Sequence, residues 1–315
     1  MHTIQNREDN NLNILETSVL FLVFNRLDTT QQVFEAIKKA KPPRLYIASD
    51  GPRESKPDED KKVQEVRDYI LSSIDWDCVV KTLFRDTNLG CRYAIQGAIN
   101  WFFENEEMGI ILEDDCLPSQ SFFGYCENLL KIYENDTRIM CVSGNNFFSK
   151  IFDNKYSYHF SEIPLIWGWA TWKRAWLLDN KALNNFSEIQ ALKLKLTSDT
   201  KADKMWWKRI GKTYNKQIDT WDYLWTFTNL INNGLTIIPK RNLVKNIGIA
   251  HINSTHTRTN NKNFVKETFE ISFPIIHPPF IKPNFRHDTL LYKNYFNVNS
   301  YWRRIILEIK RQINI

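Results

Sequence analysis

Residues 109–117 read GIILEDDCL: a short apolar run that ends in three consecutive acids, Glu113, Asp114 and Asp115. Neighbouring carboxylates raise one another's pKa unless something cationic sits among them. The stretch therefore asks for an arginine, a divalent metal or bulk water. Which of these answers depends on where the strand lies, and the flanking sequence says where.

Upstream, strand and helix patterns alternate. SVLFLVFN (18–25) reads as a buried strand, and Asp28 stands where a cap would precede the helix TTQQVFEAIKKA, which stops before Pro42 and Pro43. RLYIASD (44–50) is a second strand, a helix covers about 59–73, and DCVVKTLF (77–84) is a third strand. After Asn88-Leu89-Gly90 a helix runs over about 91–105, and MGIILEDD (108–115) is the fourth strand. A helix over 120–134 and the strand RIMCVSG (138–144) follow. Strands spaced by helices predict an α/β fold with a mostly parallel sheet, Rossmann-like and covered by helices on both faces. Beyond residue 150 the alternation stops. LIWGWATWKRAW (165–176) is broken by Gly168, 186–232 reads as helices, and LTIIP (235–239) is a late strand. Asp219 is placed to cap the helix over 219–232.

Composition narrows the function classes. The chain has 315 residues, 43% hydrophobic and 25% charged, with a formal charge of +6. That charge is mild, and no nucleic-acid motif accompanies it, so no nucleic-acid partner is expected. No apolar run approaches the roughly 20 residues of a membrane span. The polar N-terminus lacks an apolar signal core. The five cysteines form no C-x-x-C pair, which fits reduced thiols in a cytoplasmic protein.

In open parallel sheets, ligands bind beyond the carboxyl ends of the strands. Asn25 and Arg26 end the first strand there, Asp50 ends the second, and the acidic triplet ends the fourth. Hard oxygen ligands of this kind suit Mg²⁺ or Mn²⁺, with substrate phosphates completing the shell. A phosphate-binding glycine loop is missing: no G-x-G-x-x-G follows the first strand, and no G-x-x-x-x-G-K-S/T occurs.

Several motifs in order carry a resemblance: F-N-R (24–26), S-D-G (49–51), ILEDD (111–115), SFFGYCENLLKIYENDTRIMCVSGNN (121–146), P-L-I-W-G-W (164–169), W-D-Y-L-W (221–225) and N-I-G (246–248) before His251. Over about residues 18–256 the chain resembles GT-A-fold nucleotide-sugar glycosyltransferases, most closely the N-acetylglucosaminyltransferase I type (glycosyltransferase family 13) and its bacterial relatives. The resemblance implies that Asp115 ligates the metal and that Glu113 and Asp114 orient the nucleotide-sugar. Arg26 and Asp50 would then hold the nucleobase, with Asn25 beside them. Arg92 would reach the diphosphate, and Trp169 would floor the sugar pocket. His251 is a candidate second metal ligand, with His256 as its neighbour in sequence. Asp222, in W-D-Y-L-W, is the expected catalytic base, and Asp219 its rival. The bland readings stay open beside these: Asp50 as an Asp-Gly turn residue, Arg92 as an exposed helix charge and Trp169 as a core aromatic.

The expected organisation is a polar extension over 1–17, a catalytic part over 18–256 and an extension over 257–315. Within the catalytic part, 18–150 binds the nucleotide-sugar, and the more helical, irregular 151–256 faces the acceptor. The expected function is metal-dependent, inverting transfer from a UDP-sugar, with UDP-GlcNAc in view, to a hydroxyl of a glycan in bacterial surface polysaccharide or lipopolysaccharide synthesis. A sugar-1-phosphate nucleotidylyltransferase and a non-catalytic glycan-binding protein are the alternatives. In the final segment YWRRIILEIKRQINI, Trp302, Ile306, Ile309 and Ile313 share one helical face, flanked by Arg303, Arg304, Lys310 and Arg311. Such a helix can lie on an anionic bilayer, which fits a lipid-linked acceptor at the inner face of the cytoplasmic membrane.

Overall fold

A computed structural model describes residues 15–149, 155–249, 267–296 and 298. His251, His256 and the segment 301–315 lie outside the described residues.

The first half follows the alternation. It runs β1 (Val19–Val23), α1 (Leu27–Ala40), β2 (Arg44–Ser49), α2 (Glu59–Ser73), β3 (Val79–Phe84), α3 (Gly90–Asn105) and β4 (Met108–Glu113). These strands lie side by side, all parallel, in the order β3-β2-β1-β4. The register sets Val23 opposite Ser49 and Leu22 opposite Glu113. The carboxyl ends of β1, β2 and β4 therefore share one edge. All five residues of β1 are buried, as expected for a strand covered on both faces. Alternate side chains serve opposite cores. Val19 and Phe21 pack with Val33, Phe34 and Ile37 of α1, while Leu20 and Leu22 pack with Ile99, Phe102 and Phe103 of α3.

The second half departs from simple alternation. After β5 (Cys116–Pro118) and α4 (Ser121–Ile132) come β6 (Ile139–Ser143), β7 (Tyr158–Ser161) and β8 (Trp169–Trp172). Helices α5 (Lys173–Asn184), α6 (Phe186–Ala191), α7 (Thr200–Tyr214) and α8 (Asp222–Ile231) follow. The described chain then adds β9 (Leu235–Pro239), β10 (Val244–Asn246), α9 (Phe285–Leu290) and a π-helical turn at Leu291–Tyr295. The full sheet has eight strands in the order β3-β2-β1-β4-β8-β6-β9-β7. β8 runs antiparallel between β4 and β6. So the sheet is mixed, with its parallel block on the side that carries the acids, and the α/β class expected from the sequence is present. β5 and β10 form a separate antiparallel pair that sets Asn246 opposite Cys116.

Two expected caps are corrected. α1 begins at Leu27, so Asp28 lies inside its first turn, where an acid favours the helix dipole. α8 begins at Asp222 with Trp221 at its cap position, which releases Asp219 for another role. The tryptophans form a cluster below the sheet edge. Trp169 stacks on Trp221 (5.5 Å, 21°) and packs against Trp176 and Trp225. All four are essentially buried. Burying one large side chain stabilises by roughly 1.5–3 kcal/mol, so the cluster anchors α5 and α8 to the sheet.

Candidate active site at the carboxyl edge of the sheet

A cavity of about 640 Å³ opens at the shared carboxyl edge. Arg26, Asp50 and the triplet line it. The charge problem posed by GIILEDDCL is met first by an arginine. Arg26 forks onto Asp114 through Nε and Nη2, and the same Nη2 lies 3.1 Å from Asp115 Oδ2. Burial opposes the Arg26 charge, but Asp114 and Asp115 outweigh it and raise its pKa. Burial pushes Asp114 up to about 6 despite Arg26 beside it.

Glu113 forms no bond with Arg26, which nonetheless pulls its pKa down. Among the described residues it has no ion-pair or hydrogen-bond partner. Burial, then Asp115 and Asp114, push its carboxyl up to about 8. A half-buried carboxyl crowded by like charges and facing the cavity fits a divalent cation. Asp115 Oδ1 accepts from Asn246 Nδ2 at 3.3 Å, and its backbone carbonyl takes the amide of Ile247. Gly248 closes over it: a Cβ there would meet Asp115 Oδ2 at 2.3 Å and Arg26 Nη1 at 2.8 Å. Among the described residues no three His, Cys, Asp or Glu side chains converge as a metal-holding group. Substrate oxygens would have to complete the shell of Mg²⁺ or Mn²⁺, the usual arrangement for phosphate-bound ions.

The opposite wall is the turn before α3. Asp50 accepts from the amides of Leu89 (3.0 Å) and Gly90 (3.2 Å), and burial outweighs these bonds to raise its pKa. Gly90 has φ +79°, and a Cβ there would lie 2.8 Å from Asp219 Oδ2. Asp219 itself accepts from the amides of Cys91 and Arg92 at 3.0 Å each. The first amides of α3 are thus held by two carboxylates of the protein.

Three expectations are corrected here. Arg92 does not line the cavity. It is buried, and its guanidinium donates to the carbonyls of Thr213 (2.7 Å) and Tyr214 (3.4 Å) at the end of α7. Asn25 turns away to donate to Glu59 Oε1 at 2.8 Å. Trp169 is a core residue of the tryptophan cluster and does not line the cavity.

Other residues enter that the sequence reading passed over. Arg85 follows the carboxyl end of β3 and lines the cavity. Burial lowers its pKa, and among the described residues it forms no ion pair. The edge rule that found Asp50 applies equally to the residue after Phe84, so the signal was present. Arg53 also lines the cavity, held by Glu59 and set 5.5 Å from the Phe24 ring.

Asp222 sits at the first position of α8. Its Oδ1 accepts from the Thr220 hydroxyl and from the amide of Tyr223. It lines the first cavity and also a second one of about 240 Å³. Ile166, Trp167, Tyr223 and Tyr295 border both as well, so Asp222 is the carboxylate common to the two chambers.

No protein-family description and no curated protein matches the chain. Among solved structures it is similar to the mannosyltransferase PcManGT from Pyrobaculum calidifontis in complex with GDP-Man and Mn²⁺, at 13% identity and TM-score 0.33, covering 50% of this chain and 44% of that one. It is also similar to the galactosyltransferase LgtC in complex with donor and acceptor sugar analogues, at 10% identity and TM-score 0.31, covering 54% and 65%. HddC from Yersinia pseudotuberculosis matches at 9% identity and TM-score 0.29, covering 50% and 77%. The chain thus spans less than half the length of the mannosyltransferase and about two thirds of the galactosyltransferase.

Proposed function

We propose that this protein is a metal-assisted glycosyltransferase that moves a sugar from a nucleoside diphosphate donor to a hydroxyl of a glycan. The observation that carries this reading is the position of Asp222 between two cavities. One is edged with carboxylates and arginines, and the other sets aromatic rings beside Arg209. Donor and acceptor would meet across that carboxylate.

Each side chain then has a task. Arg85, a desolvated cation without an ion pair, takes the anionic part of the donor. Arg26 fixes Asp114 and Asp115 in place and, with Asp50, borders the nucleoside. Asp115 and Glu113 would hold Mg²⁺ or Mn²⁺, which when bound supplies charge neutralisation for the departing diphosphate. Asp222 accepts the proton of the attacking hydroxyl. Its bonds from Thr220 and Tyr223 fix the carboxylate at the border of the two cavities, within the geometry a general base needs. One base on the face opposite the leaving group gives inversion at the anomeric carbon. His251 stays a proposed further ligand.

The finer proposal is a UDP-sugar donor, UDP-GlcNAc first, and a surface-polysaccharide acceptor at the inner face of the cytoplasmic membrane. The described residues contain no helix long and apolar enough to cross a membrane. The test is a thermal-shift screen of nucleotide-sugars with and without Mn²⁺, followed by an assay for released nucleoside diphosphate. A metal-dependent shift and diphosphate release are expected. Pyrophosphate-dependent formation of a nucleoside triphosphate would instead identify a nucleotidylyltransferase. Binding without turnover on any acceptor would leave a lectin.

A further inference from the structure

The second cavity carries chemistry that sugar transfer does not require. Aromatic rings line much of it: Phe147, Trp167, Trp206, Tyr223, Tyr295 and Phe296. Flat apolar faces of this kind suit the apolar face of a pyranose ring, and about 240 Å³ lies below the range for drug-sized ligands. Among the described residues one cation stands among the rings. Arg209, on α7, has its guanidinium 5.4 Å from the Phe296 ring centroid, 5.5 Å from Tyr223 and 5.9 Å from Trp206. Among the described residues it forms no ion pair, and its guanidinium makes no hydrogen bond. It is half-buried, so its charge is partly desolvated.

Arg209 lines the second cavity and not the first, whereas Asp222 lines both. Both charges act on Tyr223 and on Tyr295. The chamber is therefore polarised: an acid where it joins the donor cavity, and a cation confined to the acceptor side. A neutral sugar would leave that cation without an anion. A guanidinium forks onto carboxylate or phosphate oxygens with charge-assisted bonds.

Resting on the glycosyltransferase reading, we propose that the second cavity is an acceptor subsite for a hexopyranose bearing an anionic group, a carboxylate or a phosphate. The ring lies on the aromatic wall, the anion pairs with Arg209, and a hydroxyl on the far side faces Asp222. Hydrogen bonds to charged groups contribute about 1.5–3 kcal/mol, so loss of the guanidinium should weaken an anionic sugar about 10–100-fold.

The experiment titrates the full chain with methyl β-D-glucuronide, glucose 6-phosphate and methyl β-D-glucoside, read by quenching of tryptophan fluorescence. At least one anionic sugar should bind at least tenfold more tightly than the glucoside. Which anion wins tells carboxylate from phosphate. Arg209→Gln should remove that preference, and Arg209→Lys, which keeps the charge, should retain part of it. Circular dichroism of both variants checks that the packing around residue 209 survives. Equal binding of glucoside and anions, no binding of any of the three, or an unchanged preference in folded Arg209→Gln overturns the subsite. Metal-dependent binding of UDP is measured in parallel. If UDP binds and the anionic sugars do not, the inference fails alone. If the anionic sugars bind and no nucleotide does, the transferase reading fails and the sugar site stands.

Discussion

The carboxylate of Asp219 accepts a hydrogen bond from the backbone N–H of Arg92 at 3.0 Å, across 127 residues of chain. With the matching bond to Cys91, it caps α3 from the loop that leads into α8. The loop that positions Asp222 is thereby tied to the wall of the larger cavity.

Removing that tie should loosen both partners. Asp219→Ala is expected to cost about 1 kcal/mol, the typical value of a helix cap, measured by urea unfolding. Turnover should fall more than donor affinity, because Asp222 loses its placement. Asp219→Asn keeps an acceptor oxygen and should restore most of both. A full catalytic defect in Asp219→Asn with normal stability would make Asp219 the base instead.

Asp222→Asn should preserve metal-dependent UDP binding and lower turnover by roughly 10²–10⁴-fold, the range for loss of a general base. Asp115→Asn should weaken that binding as well as turnover. The split is read from binding isotherms beside rates. A product that retains the donor's anomeric configuration would rule out a single base, whichever aspartate matters.

Glu113 gives a pH signature to the metal-free protein. Its carboxyl rises from 4.5 to about 8 on folding. The unfolded chain releases this proton first, so the group's stabilising contribution is present below pH 4.5 and is lost as pH rises towards 8. The slope is about 1.4 kcal/mol per pH unit within that window. Glu113→Gln should flatten the slope and stabilise the metal-free protein at pH 8, while weakening metal-dependent donor binding. A variant less stable than the parent at pH 8 would show that Glu113 is not held against its charge.

His159 acts at the acid end. Burial, then His287 beside it, lower its pKa from 6.5 to about 3. The unfolded chain takes up a proton through this window and the folded chain does not. Stability is therefore full above pH 6.5 and falls by about 1.4 kcal/mol per unit down to pH 3. His159→Gln should reduce the dependence of the urea midpoint on pH between 6.5 and 3. An unchanged dependence would mean that the imidazole titrates normally in the fold.

The sequence by itself determined the parallel block and the edge where its strands end. Period-2 and period-3.6 patterns are local, so GIILEDD, RLYIASD and SVLFLVFN announce their strands, and the order of strands and helices puts their acids together. What it could not determine was where side chains go once they leave the backbone. Arg92 and Asn25 stand close in sequence to the edge, yet Arg92 serves the carbonyls at the end of α7 and Asn25 serves Glu59. Each partner comes from a distant element, and a buried carbonyl or carboxylate with spare acceptor capacity attracts a donor more strongly than an empty cavity does. Strand β8, four residues long, could not be read from its pattern, because its place between β4 and β6 comes from pairing on both sides. Only the tertiary structure decided that Asp222 borders two chambers, since the walls come from β-strand ends, α7, α8 and the turn at Tyr295, brought together by burial of the cores they share.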